Sequence, residues 1–364
     1  MRGLNPLLYN AVIEWSTQLP KEFSVSEKID NRDNINNKEE EVVAALLTEF
    51  PCSYRQAYEA YFDLLQNDKV YQTYFELDKI SVLALGTGSG GDVFGLIHAL
   101  ERFYKGKQIK IFTVEGNELA LLSQVNIYKT FFLKEELKNK IELIPIHFKF
   151  ERYFDELQPI LKEVCQEALQ VETFDIIQSF KLMNEGSISS NMRFFDLYRF
   201  INKNLAANRV SVILENADPT SKYIADRTVA ARALIEFTSF AQQYYKRHQL
   251  HVLTPTPCIA RCLSGLNINQ CHRCTTTYEE VKCYVLRMET SFFEIQSTFV
   301  YSMKLATGEL GHQLVEFIRD DSIAYQTKVA VGQFEDQYCT LNARNKGTKQ
   351  TSAFKISQSS CKEV

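Results

Sequence analysis

Two stretches of this chain carry residue types whose spacing suits chemistry. In Ser81-Val82-Leu83-Ala84-Leu85-Gly86-Thr87-Gly88-Ser89-Gly90-Gly91-Asp92-Val93-Phe94-Gly95-Leu96, an apolar run leads through glycines at alternate positions into helix-forming sequence. Such glycines let the backbone turn tightly and come close to a ligand, while the helix start behind them offers unpaired N–H groups and a positive dipole end. The loop suits a small polar ligand of the nucleotide type. The second stretch holds Cys258, Cys262, Cys271 and Cys274 in two pairs. Four thiolates so close in sequence suit tetrahedral zinc or a [4Fe-4S] cluster, and the spacing does not choose between them. His272 could replace one thiolate, and Cys283 is near enough to be a spare ligand. The other cysteines are scattered, and an odd total of 9 does not resemble a secreted disulfide framework.

The glycine loop has a downstream partner. Ile109-Lys110-Ile111-Phe112-Thr113-Val114-Glu115-Gly116-Asn117 reads as a second strand ending in a carboxylate, placed where an acceptor for ribose hydroxyls belongs in a βαβ half-site. Gly86, Gly88, Gly90 and Gly91 fit G-x-G-x-G-G better than the dinucleotide G-x-G-x-x-G, which favours S-adenosylmethionine over NAD. On these residues the chain resembles the class I S-adenosylmethionine-dependent methyltransferases. The resemblance implies that the glycine loop with Gly86, Gly88 and Gly90 holds the amino-acid end of that cofactor and that Glu115 holds its ribose, with Thr87, Asp92, Gly116, Asn117, Phe148, Gln178 and Ser179 as further cofactor-binding residues. It also places Gln178 and Ser179 beside the reacting methyl group. Ala84 stands where many members carry an acid two residues before the first glycine.

These residues need elements to position them. The patterning predicts a helix from Phe50, with Pro51 and Ser53 as start signals and an aromatic stripe of Tyr54, Tyr58, Tyr61 and Phe62 expected to pack as core. Helices are expected over 118–132, 154–169, 192–203 and 225–247, and strands over 141–148, 174–180 and 210–215. Ser24 to Glu41 reads as a polar surface connection. Strand character in 281–287, 313–318 and 328–334 suggests a β-rich end. The alternation predicts an α/β fold with a Rossmann-like, mostly parallel sheet and helices on both faces. The expected organisation is an N-terminal helical extension (1–75), a cofactor-binding domain (76–300) with a cysteine-rich insertion (254–277), and a β-rich C-terminal region with a polar tail (301–364).

Composition narrows the function classes. With 364 residues, 45% hydrophobic and 24% charged, the chain reads as a globular protein with a sizeable core. No run of eighteen apolar residues and no secretory start is evident, so an intracellular, cytoplasmic, non-membrane protein is expected, with a mitochondrial address left open. A net charge of −4 gives no global pull on nucleic acid. A second resemblance rests on Phe50-Pro51-Cys52-Ser53-Tyr54, the cysteine insertion, Gly311-His312 and Tyr338 to Lys346. It is to methyltransferase-like proteins of the small ribosomal subunit, and it implies an RNA, ribosomal or protein partner. The leading expectation is methyl transfer to an acceptor near Gln178, Ser179 and Asn216, with Glu185, Glu215 and Asp218 as candidate orienting carboxylates. Positioning rather than a strong base should dominate such a reaction. A non-catalytic cofactor- and metal-binding scaffold is the alternative, motivated by Ala84, and an NAD-dependent oxidoreductase is the third reading.

Overall fold

The computed structural model describes residues 6–16, 18, 34–132, 134–168, 173–216, 250–254, 300–311, 342–343 and 352–353, with scattered positions between 229 and 244. They fall into two compact units, one within residues 1–149 and one drawn from 150–260 and the chain beyond 298.

The first unit opens with α1 (Pro6–Ser16) and a 3-10 turn at Asn34–Asn36, followed by α2 (Glu39–Leu65) and α3 (Asp68–Phe75). Strand β1 (Lys79–Leu85), α4 (Gly91–Phe103), β2 (Gln108–Glu115), α5 (Glu118–Phe132) and β3 (Lys140–His147) then alternate. The strands order as β3-β2-β1, all parallel, with Ala84 opposite Thr113 and Glu115 opposite His147. Val82 to Leu85 are fully buried, which is why β1 reads as a continuous apolar run rather than an alternating one. In β3, exposed Glu142, Pro145 and His147 alternate with buried Ile141 and Ile146, the pattern of an outer strand.

Helix α2 differs from its sequence-based expectation. It begins eleven residues earlier than Phe50 and carries Pro51 inside it. Its start is built by Glu41, whose carboxylate accepts the Lys38 N–H at 2.8 Å, and by Glu39 and Glu40 in a first turn that favours negative charge. The polar stretch expected as a connection up to Glu41 therefore ends in ordered structure, while Ser24 to Asp33 lie outside the described residues. Of the aromatic stripe, Tyr54 and Tyr61 are buried in the core, while Tyr58 and Phe62 are half-buried. The stripe faces α4, where a side chain on Gly91 or Gly95 would run into the backbone carbonyls of Phe50 and Tyr54. Two helices approach so closely only because α4 carries glycine at both positions.

The second unit holds a 3-10 turn at Phe154–Leu157, α6 (Gln158–Ala168), β4 (Phe174–Phe180), a 3-10 turn at Leu182–Asn184, α7 (Gly186–Asn191), α8 (Phe194–Asn204), β5 (Leu205–Asn216), β6 (Leu250–Thr254) and β7 (Val300–Thr307). Strands β4 and β5 are parallel, and β7 lies antiparallel between β5 and β6. Arg209 Nε meets Asp175 Oδ1 at 2.7 Å between β4 and β5. Helix α8 buries Phe194, Leu197, Tyr198, Phe200 and Ile201, with the Tyr198 hydroxyl donating to the Ala233 carbonyl at 2.7 Å. The strand expected over 210–215 is longer, and α8 is preceded by a short helix absent from the sequence reading. A two-residue ladder pairs β8 (Asn342–Ala343) with β9 (Ser352–Ala353). The stretches 281–287, 313–318 and 328–334 lie outside the described residues. The parallel β/α alternation gives the chain a Rossmann-like α/β fold.

Candidate functional site

In the first unit the carboxyl ends of β1 and β2 carry the glycine loop and Glu115. The amides of Gly86 and Thr87 both donate to the Val114 carbonyl, at 2.8 and 3.2 Å, fastening the loop to the end of β2. Gly88 then turns with φ of 51° and Gly90 with φ of 91°, left-handed conformations that favour glycine. The two positions serve different neighbours. A Cβ on Gly90 would lie 2.6 Å from Cγ of Gln124 on α5, whereas one on Gly88 would meet nothing within 4 Å. Gly88 thus leaves open space against bare backbone. Thr87 is buried, and its hydroxyl reaches Gln124 Oε1 at 3.3 Å. Asp92 is buried in the first turn of α4.

Glu115 closes the other side. Its Oε2 accepts the Gly88 N–H at 2.6 Å and its Oε1 accepts the Asn117 N–H at 2.8 Å. Glu115 is 7% exposed, and burial pushes its pKa upward against the opposing pull of the Asn117, Gly88 and Gly116 amides and of nearby His147. An ionised carboxylate offers about four acceptor sites, more than these amides fill, so it retains capacity for a hydroxyl donor. A donor pair such as the 2′- and 3′-hydroxyls of a ribose suits it. His147 Nε2 lies 2.9 Å from the Gly116 carbonyl, and the Phe148 amide donates to the Glu115 backbone carbonyl at 2.9 Å. Gly88, Glu115, Gly116, Asn117 and Phe148, named separately from the sequence, are therefore brought together.

Asn117 plays a part that sequence reasoning missed. Its Oδ1 caps α5 through the Ala120 N–H at 2.9 Å, and its Nδ2 donates to the carbonyls of Asn34 at 2.7 Å and Asn37 at 2.9 Å. It ties the 3-10 turn before α2 to the end of β2. Ile35 from that turn lies beside Gly116, its side chain 3.1 Å from where a Cβ on that glycine would sit. Nothing local in the sequence points from Asn34 to Asn117, because the contact spans 83 residues.

In the second unit, Gln178 and Ser179 are buried at the carboxyl end of β4. The Ser179 hydroxyl, 1% exposed, has no hydrogen-bond partner among the described residues. Beyond it the chain turns at Lys181, which holds a left-handed φ of 61° that a non-glycine residue adopts at a cost of about 1–2 kcal/mol. The loop after β4 is laced to the end of β5. Asn184 Nδ2 donates to the Asn216 carbonyl at 3.1 Å, the Asn216 N–H donates to Asn184 Oδ1 at 2.7 Å, and Glu215 Oε1 accepts the Met183 N–H at 3.2 Å. Asn216 Oδ1 is buried without a partner among the described residues. Sequence analysis had named Ser179, Glu215 and Asn216 but neither Lys181 nor Asn184. Asp218 lies outside the described residues, as do Cys258, Cys262, Cys271 and Cys274 with the insertion that carries them. Among the described residues no group of three or more histidine, cysteine or acidic side chains could hold a metal ion. No described helix is long and apolar enough to cross a membrane.

No protein-family model matches the chain, and no curated protein matches it in sequence. Solved structures do resemble it. The plantazolicin methyltransferase BpumL in complex with SAH shares 12% identity over 83% of this chain and 99% of its own, with a TM-score of 0.39. A putative class I S-adenosylmethionine-dependent methyltransferase from Listeria monocytogenes shares 11% identity over 83% of this chain and 80% of its own, also at 0.39. An O-methyltransferase from Bacillus cereus in complex with SAH shares 16% identity over 63% and 86%, at 0.34.

Proposed function

We propose that this chain binds S-adenosylmethionine and is a methyltransferase. The observation that carries the reading is the 2.6 Å bond between the Gly88 amide and Glu115, which sets a buried acceptor beside backbone with open space in front of it. When bound, the cofactor supplies a methyl group already activated on a sulfonium. The chain's task is to hold and orient. Glu115 accepts the ribose hydroxyls, and the loop from Gly86 to Gly90 together with the first turn of α4 faces the polar amino-acid end. On the acceptor side, where the resemblance places Ser179, we assign Ser179 Oγ and Asn216 Oδ1, two buried polar atoms that have no hydrogen-bond partner among the described residues and so suit a donor on the acceptor molecule. No strong base is needed for such a transfer, and alignment supplies most of the acceleration.

Isothermal titration of the purified chain tests the cofactor. S-adenosylmethionine and S-adenosylhomocysteine should bind with micromolar affinity and NADH should not. Binding of NADH alone would replace this reading with an oxidoreductase. Incubation with RNA, ribosomal and protein fractions should then yield S-adenosylhomocysteine. Tight cofactor binding without any turnover would favour the scaffold that Ala84 motivates.

A further inference from the structure

Gly116 directly follows the carboxylate assigned to the ribose, so the base attached to that ribose has to pass close to it, yet glycine offers no apolar surface. The side-chain position it leaves is filled from elsewhere in the chain: Cγ1 and Cδ1 of Ile35 lie 3.1 Å from where a Cβ on Gly116 would be. Ile35 is half-buried, whereas its neighbours Asn34 and Asn36 are exposed. Its turn is tied to the end of β2 by Asn117. Asn117 Nδ2 grips the carbonyls on either side of Ile35, at Asn34 and Asn37, while Asn37 Nδ2 reaches Asn34 Oδ1 at 3.0 Å. The backbone amide of that same Asn117 donates to Glu115. The acid and the apolar side chain are thus set by one residue.

Resting on the cofactor reading above, we propose that Ile35 is the apolar wall against which the nucleoside base packs, and that Asn117 is a positioning residue that latches the wall to the ribose acceptor. A flat heteroaromatic base gains from apolar contact on its face, and a wall contributed by a separate segment makes nucleoside affinity depend on that segment's docking. The half-buried Phe148, whose amide bonds to the Glu115 carbonyl, is placed to bound the pocket beyond Gly116.

Titration with S-adenosylhomocysteine and with 5′-methylthioadenosine, which keeps the nucleoside and lacks the amino-acid end, tests this. Ile35→Ala removes no hydrogen bond and should weaken both ligands by the same factor, roughly tenfold, as expected for the loss of one apolar contact. Ile35→Leu, which keeps the volume, should restore affinity to within about threefold. Asn117→Ala should weaken both ligands further, and saturating S-adenosylhomocysteine should slow tryptic cleavage at exposed Lys38 in the unaltered chain but not in this variant. Unchanged affinity in Ile35→Ala at unchanged melting temperature overturns the inference and leaves the cofactor reading standing. Failure of the unaltered chain to bind either nucleoside overturns both.

Discussion

The ends of the strands in the two units differ in how their polar groups are met, although each has buried atoms without a partner among the described residues, Thr113 Oγ1 and Gln124 Nε2 in the first and Ser179 Oγ and Asn216 Oδ1 in the second. At β1 and β2 the polar groups are interlocked: Gly86, Thr87, Gly88 and Asn117 donate into Val114 and Glu115, and Asn117 uses its amide, its carbonyl oxygen and its side-chain nitrogen. At β4 and β5 the backbone is equally well laced, by Asn184 and Asn216, but Ser179 Oγ and Asn216 Oδ1 are left buried and unmatched. Preorganised groups bind an invariant ligand without reorganising, whereas a buried polar group without a partner costs stability that a bound molecule or an ordered water restores. The proposed cofactor role rests on the first region, and a Ser179 variant tests the role proposed for the second.

The largest expected effect separates glycines that serve packing from those that serve the ligand. Gly95→Val forces a side chain into the Tyr54 carbonyl and against Ala57 Cβ at 2.8 Å, which should cost about 3 kcal/mol or more, read as a lowered denaturation midpoint. Gly88→Ala meets no neighbour and carries only the left-handed penalty of about 1–2 kcal/mol, yet it should weaken S-adenosylhomocysteine binding at least tenfold by filling the open face. Equal loss of stability in the two variants would remove the distinction.

His98 sharpens the comparison from the other side, since its buried Nε2 is also unmatched but lies in the aromatic packing of α4 with Tyr54 and Phe131, away from any strand end. Burial lowers its pKa from 6.5 to about 4. The folded state then binds the proton less readily than the unfolded one. The neutral ring's contribution is present above pH 6.5 and is lost as pH falls toward 4, by about 3 kcal/mol in all. Denaturation at pH 7, 5.5 and 4.5 should show this slope in the unaltered chain and a shallower one in His98→Leu. Glu115 runs the opposite way: its raised pKa makes stability fall as pH rises from 4.5 through the folded value, a slope that Glu115→Gln should abolish.

The smallest effect on stability belongs to Ser179. Deleting a buried hydroxyl that has no partner among the described residues should raise stability, by about 1 kcal/mol, while methyl transfer should fall roughly tenfold with cofactor affinity unchanged. Ser211 Oγ, equally buried and unmatched but in the middle of β5, is the control. Ser211→Ala should raise stability alike but leave methyl transfer unaltered, and an equal loss of methyl transfer in the two variants would break the assignment.

Much of this arrangement was legible in the residues themselves. The strand over 174–180 and the helix over 118–132 matched to the residue, the strand as a short apolar run and the helix as a longer one opened by Gly116-Asn117. The glycine loop and Glu115 announced themselves by spacing. The start of α2 did not, because Pro51 reads as a beginning when it lies inside a helix opened by three glutamates. The turn at Asn34–Asn36 was illegible for a different reason: its polar composition is that of a linker, and its order comes from Asn117 far along the chain. Gly91 and Gly95, four apart on one helix face, were a packing signal hidden inside a ligand motif.

The most direct measurement of the central claim is a crystal structure of the chain grown with S-adenosylhomocysteine. The account predicts both ribose hydroxyls within about 3.2 Å of the Glu115 carboxylate and the ligand's backbone-facing edge over Gly88. A nucleoside bound elsewhere, or Glu115 still engaged only by its own amides in the presence of ligand, would contradict it.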